Sequence, residues 1–109
     1  MPRIGKYPDR FRQLPEHDGR FDAYRLSADG VEVLFASYPA DTSIPPHCHD
    51  TDNYGVITRG ELILTLDGQT HRYGPGDWYH VPANAQHSAR FETDTDEIEF
   101  WFREEPAAA

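Results

Sequence analysis

Three histidines carry the chemistry most easily read from this chain: His47 and His49 in the segment PPHCHDTDN, and His87 in VPANAQHSARF. On an extended strand side chains alternate faces, so His47 and His49 point one way and Cys48 the other. Two imidazoles on one wall make two adjacent ligands for a divalent cation. A third nitrogen must come from elsewhere to hold such an ion at about 2.0–2.1 Å, and His87, on a later segment, is the candidate. One such set predicts one metal ion per chain. Asp50 and Asp52 are rival carboxylate donors, expected instead in the solvated loop after His49. His17, His71 and His80 lack the spacing to join the cluster and are expected at the surface or in a wall. Cys48 reads as a small buried apolar residue.

The elements that must position these groups are short and extended. From Phe21 onward the chain reads FDAYRL, VEVLFASY, PPHCH, NYGVIT, ELILTL, QTHRY, DWYHV, HSARF and EIEFWF, each bounded by turn residues, with no segment of helical length and period. Asp29-Gly30 and Asp67-Gly68 are two-residue hairpin signals, because a type I′ turn needs positive φ at both central positions. Leu62, Leu64 and Leu66 alternate with Glu61, Ile63 and Thr65, and Ile98, Phe100 and Phe102 alternate with Glu97, Glu99 and Trp101, the pattern of half-buried antiparallel strands. The expected architecture is all-β, an antiparallel barrel or sandwich of roughly eight to ten strands. On the same alternation Ile57, Leu64, Tyr79, Val81 and Phe91 should line its interior, Phe91 on the face of His87.

Size and charge bound what such a domain does. At 109 residues the chain is one domain, and its acidic residues, 19 against 10 basic ones, give a net charge of −9. That balance argues against a nucleic-acid partner or an anionic membrane surface, both of which call for clustered Lys and Arg. One cysteine excludes an internal disulfide and a Cys-based zinc cluster. Without a signal-like opening or an apolar run of membrane-spanning length, the expectation is a soluble, cytoplasmic protein. Residues 1–20 read as an irregular arm made basic by Arg3, Lys6, Arg10 and Arg12, residues 21–104 as the barrel, and residues 105–109 as a frayed tail. No Ser-His-Asp or Cys-His nucleophile set and no phosphate-binding glycine loop is readable.

In order and spacing these residues resemble the cupin family, specifically its small single-domain barrels. The first motif reads Asp41, His47-Cys48-His49, Asn53 and Gly60, with Asp41 in place of the usual glycine and Asn53 in place of a glutamate. The second reads Gly76, Pro82, Asn84, His87 and Phe91, where Asn84 supplies the left-handed conformation of a glycine and Phe91 replaces a closing asparagine. The resemblance covers roughly Val31 to Arg103. It implies a jelly-roll-like barrel, the antiparallel double-stranded β-helix, whose mouth holds one divalent ion, commonly iron, nickel, manganese or zinc. In that frame Asn53 either fills a weak fourth position through its amide oxygen or turns its amide to substrate or water.

Losing the glutamate leaves a divalent ion with its full +2 charge, which favours a small carboxylate, enolate or chelating diketone in the open positions. The all-histidine set also resembles that of cupin thiol dioxygenases and diketone-cleaving dioxygenases. The expected function is therefore a small metal-dependent, dioxygenase-like enzyme, with Asn53 or Tyr79 orienting substrate or a proton. The alternatives are a non-catalytic metal- or ligand-binding module and a metal-dependent isomerase or lyase, the last short of a base beyond Tyr79 and His80. Apolar outer strands such as EIEFWF further predict a homodimer.

Overall fold

Nine strands follow one another in the computed structural model, which describes residues 5–17 and 22–103. They are β1 (Asp22–Ala28), β2 (Val31–Tyr38), β3 (Thr42–His47), β4 (Asp52–Arg59), β5 (Leu62–Leu66), β6 (Gln69–Tyr73), β7 (Trp78–Val81), β8 (His87–Phe91) and β9 (Thr95–Phe102). All pairings are antiparallel and form two sheets, one of order β1-β2-β9-β4-β7 and one of order β3-β8-β5-β6. The result is the antiparallel all-β architecture expected from the strand pattern, in the jelly-roll-like form that the family resemblance implies. Arg3, Phe21 and the tail 105–109 lie outside the described residues.

Turn chemistry fits at most of the positions the sequence marks. Asp67 (φ 49°) and Gly68 (φ 81°) are both left-handed, as a type I′ hairpin between β5 and β6 requires. Asp41 and Asn84, the residues standing where the family has glycine, each have φ 66°. Short Asx side chains tolerate that conformation better than other non-glycine residues. Asp29-Gly30 differs: Gly30 is left-handed at φ 77° but Asp29 is not, so this hairpin is not type I′.

Between the sheets lies a core that includes Ala36, Tyr38, Ile57, Leu62, Leu64, Val81 and Phe91, with Tyr38 and Phe91 stacked at 4.3 Å and nearly parallel. Ile63, placed by alternation on the outer face of β5, is also buried. Strand β9 turns its acidic face to the interior. Its acidic residues Glu97 and Glu99, each 3% exposed, face inward, while Ile98 and Phe100 are half-buried and Phe102 is exposed on the outer face. The alternation in EIEFWF is real, but periodicity cannot say which face turns inward.

The outer face is apolar because the N-terminal segment packs on part of it. Tyr7 meets Phe35 edge-on at 5.7 Å, and Phe11, in a short 3₁₀ turn (Phe11–Gln13), packs on Phe35 at 4.7 Å. The Tyr7 hydroxyl donates to the carbonyls of Ala36 and Glu97, and the Lys6 N–H donates to Asp96 Oδ2. Aromatic contact and backbone donors attach this arm, whereas the Arg12 guanidinium bonds back to the Gly5 carbonyl within it.

Candidate metal centre

Strand β3 carries Pro45 and Pro46, which have no N–H to give its ladder with β8, and the register shifts between Ile44 and His47. Pairing resumes with His47 opposite His87, so two imidazoles from distant segments become neighbours on adjacent strands. The strand ends at His47, and His49 lies just beyond it. His49 nevertheless joins the pair: ring centroids are 4.6 Å apart for His47 and His49, 4.2 Å for His47 and His87, and 5.2 Å for His49 and His87.

The tautomers suit ligation. His47 Nδ1 lies 2.8 Å from the Pro45 carbonyl and His87 Nδ1 lies 3.0 Å from that of Ala85. A carbonyl only accepts, so each Nδ1 carries the hydrogen and each Nε2 keeps its lone pair, the second-sphere arrangement typical of metal-bound histidine. One nitrogen from each ring lies within 4.8 Å of the others, close enough for the three to be offered to one ion. Burial lowers the pKa of His49, helped by the nearby His47 and His87, and burial lowers that of His87. Neutral imidazole, the ligating form, is favoured at both. The donor set fits a divalent metal held by His47, His49 and His87.

These rings open on a cavity of about 450 Å³ between the sheets. Leu64, Tyr79, Val81 and Phe91 border it, and Ile57 is wholly buried in the core cluster. Asn53 also borders the cavity, is 4% exposed, and donates its amide to the carbonyls of Tyr54 (3.2 Å) and Phe100 (3.3 Å). Asp50 is exposed at the rim, and Asp52 opens β4 and pairs with His80 at 2.7 Å, which occupies both as surface groups. His71 is exposed on β6, and His17 borders the cavity from the arm. Cys48 is exposed rather than buried, because it sits past the end of β3, which stops at His47.

Sequence reasoning missed the wall contributed by β9. Glu97, Glu99 and Trp101 border the cavity. Trp101 meets His49 edge-on at 4.7 Å and donates Nε1–H to Glu99 Oε1 at 3.0 Å. Tyr38 donates to Glu99 Oε2 at 2.5 Å and Tyr79 donates to Glu97 Oε1 at 3.1 Å. Burial and the adjacent carboxyls push both tyrosines well above their usual pKa, so both hydroxyls stay donors. Gly55, paired with Glu99 on one side and Tyr79 on the other, makes room: a Cβ there would lie 2.2 Å from the Tyr79 ring. A readable signal was the i, i+2 repeat of acids in β9, which places them together on one face, whichever way that face turns.

Comparison with known proteins agrees with this geometry. The family described as "Cupin domain" matches residues 34–102. The chain is 32% identical over 87 residues to the H2HPP isomerase of Bacillus subtilis, covering 79% of this chain and 37% of that protein. It is 31% identical over 70 residues to quercetin 2,3-dioxygenase of Bacillus subtilis (strain 168), covering 63% of this chain and 21% of that protein. The chain thus spans well under half the length of these curated relatives. Among solved structures, KdgF from Halomonas sp. superposes with a TM-score of 0.72 at 21% identity, over 86% of this chain and 91% of that one, a likeness of fold.

Proposed function

Because the chain belongs to the cupin family, whose fold hosts many chemistries, we propose its function from the site itself: a metal-dependent enzyme acting on a small anionic or chelating organic molecule. The observation that carries this reading is the convergence of three preoriented imidazoles on the mouth of a cavity large enough for such a ligand. His47, His49 and His87 would hold one divalent ion, and Asn53 offers its amide oxygen as a further donor. A bound ion would supply Lewis-acid polarisation and open positions for the ligand's oxygens. The absence of a carboxylate among the three histidine donors, together with the similarity to a quercetin dioxygenase, supports dioxygenase-like chemistry. A second reading, isomerase or lyase, gains support from the similarity to an isomerase and from the carboxyls in the cavity wall, which provide the base that the sequence did not reveal.

Elemental analysis tests the site directly. Wild type should carry one divalent ion per chain, and His87→Ala should lose most of it, since two nitrogens from one short segment cannot enclose an ion. Full retention in that variant would remove His87 from the site. Oxygen uptake by the iron-loaded protein across diketones, thiols and hydroxy acids then separates dioxygenase chemistry from the other readings, including a non-catalytic binding module.

A homodimer accompanies this reading. Its support is the outer face of β4, β7 and β9, where Trp78 is 59% exposed and stacks on Phe100 beside Tyr54 and Phe102. Light scattering should give twice 12.5 kDa, and Trp78→Lys should shift it to a monomer. A monomeric wild type at micromolar concentration would count against it.

A further inference from the structure

Two carboxyls buried side by side in the cavity wall have no part in holding the metal. Glu97 and Glu99 project from the same face of β9, and neither has a Lys or Arg partner among the described residues. Removing two adjacent carboxylates from water without a cation is strongly unfavourable unless they share a proton. The hydrogen bonding shows where that proton belongs. Both oxygens of Glu99 receive donors, from Trp101 and Tyr38. Glu97 receives one, from Tyr79, while its Oε2 is buried with no donor. The adjacent Glu99 carboxyl can bond to it only through a proton held between the two. Burial, followed by the charge of Glu99, pushes the pKa of Glu97 well above the usual carboxylate range.

An ordinary core would fill this wall with apolar side chains. Here two tyrosines, a tryptophan and a space-making glycine hold an acid pair at a cavity that three histidines share. Resting on the second reading, an isomerase whose site binds a small chelating anion, we propose that Glu97 and Glu99 are its acid–base pair and that the reaction is isomerisation, by proton transfer, of a 2-oxo acid or a similar carbonyl compound. The ionised member accepts a proton from the carbon next to the carbonyl. The C–H electron pair becomes the new C=C bond, and the carbonyl π pair moves onto oxygen. The acid member returns a proton to that oxygen or to the far end of a conjugated system. The pair finishes with one proton, as it began, and no oxidant or reductant is consumed. A bound divalent ion would make the C–H more acidic by polarising the carbonyl. Tyr38 and Tyr79 are positioning residues that hold the two carboxyls by donation.

The test follows deuterium incorporation at C3 of 2-oxobutanoate by NMR, using the zinc-loaded full chain in D₂O. Wild type should catalyse exchange, and Glu97→Gln and Glu99→Gln should each lower the rate constant at saturation by about 100-fold or more. Zinc content and the dissociation constant for 2-oxobutanoate should stay within a factor of about three of wild type. Infrared spectra of the metal-free protein at neutral pH should show a protonated carboxyl band that Glu97→Gln lacks. Should a glutamine variant fail to fold, Tyr79→Phe, which removes only the donor to Glu97, should still slow exchange while retaining zinc. Unchanged exchange in the variants, no exchange by zinc-loaded wild type that binds the probe, or the absence of the infrared band would each overturn the acid–base assignment. A wild type that binds no zinc would instead overturn the metal-site reading on which it rests.

Discussion

Replacing Glu97 by glutamine removes the need for a proton in the cavity wall while keeping the size of the side chain and giving Glu99 an amide donor. Glu97 has a raised pKa in the folded chain because it is buried beside Glu99, whereas in the unfolded chain it titrates near the ordinary value of about 4.3. Above that ordinary value the folded state binds one proton that the unfolded state has released. A group whose folded pKa is raised contributes stability that is fully present below the unfolded pKa and lost as the pH rises towards the folded one. Wild type should therefore lose stability relative to Glu97→Gln, by on the order of 1 kcal/mol per pH unit, over the window that opens above roughly pH 5.5 and lasts while the folded chain keeps the proton. Urea unfolding of both metal-free proteins in chelator reads this difference. His49 and His87 titrate in both proteins and cancel, and Tyr7, Tyr38 and Tyr79, all raised by burial, stay protonated throughout. Parallel stability curves across the window would show that Glu97 ionises as an ordinary surface glutamate does, and the shared-proton argument would fall.

Two further substitutions probe the site's other supports. Asn53→Glu should tighten divalent-metal binding by about tenfold or more and weaken oxalate binding, because an anionic donor lowers the centre from +2 to +1; titration calorimetry with unchanged affinities for both would mean that Asn53 points away from the ion. Loss of the amide donor to the Tyr54 and Phe100 carbonyls should also make that variant less stable without metal than with it. Gly55→Ala should cost about 1–3 kcal/mol in urea unfolding, because the added Cβ meets the Tyr79 ring, and a neutral result would mean that Tyr79 is free to leave Glu97.

Much of the scaffold was legible because it rests on local rules. Strand-length runs broken by Gly, Asn, Asp and Pro gave the element order, and Asp67-Gly68 gave its hairpin by conformational preference alone. The three histidines converge although β3 stops at His47, since the HxH spacing needs only two extended residues to keep both rings on one side. What could not be read depends on neighbouring strands and on the arm. Whether Glu97 and Glu99 or Ile98 and Phe100 face inward is decided by Tyr38, Tyr79 and Trp101 as donors on one side and by Tyr7 and Phe11 covering Phe35 on the other. Apart from Trp101 those partners lie well away in the sequence, and a period of two is blind to them. Cys48 was misplaced for the same reason: its small size suits burial, but no sheet continues past His47 to cover it.

Anomalous diffraction across the absorption edges of iron, nickel, manganese and zinc, from crystals of untagged protein, tests the central claim most directly. One peak per chain should lie about 2.0–2.2 Å from a nitrogen of each of His47, His49 and His87, at the mouth of the cavity bordered by Glu97 and Glu99. A metal bound elsewhere, or crystals grown with excess metal that show no peak among these rings, would contradict it.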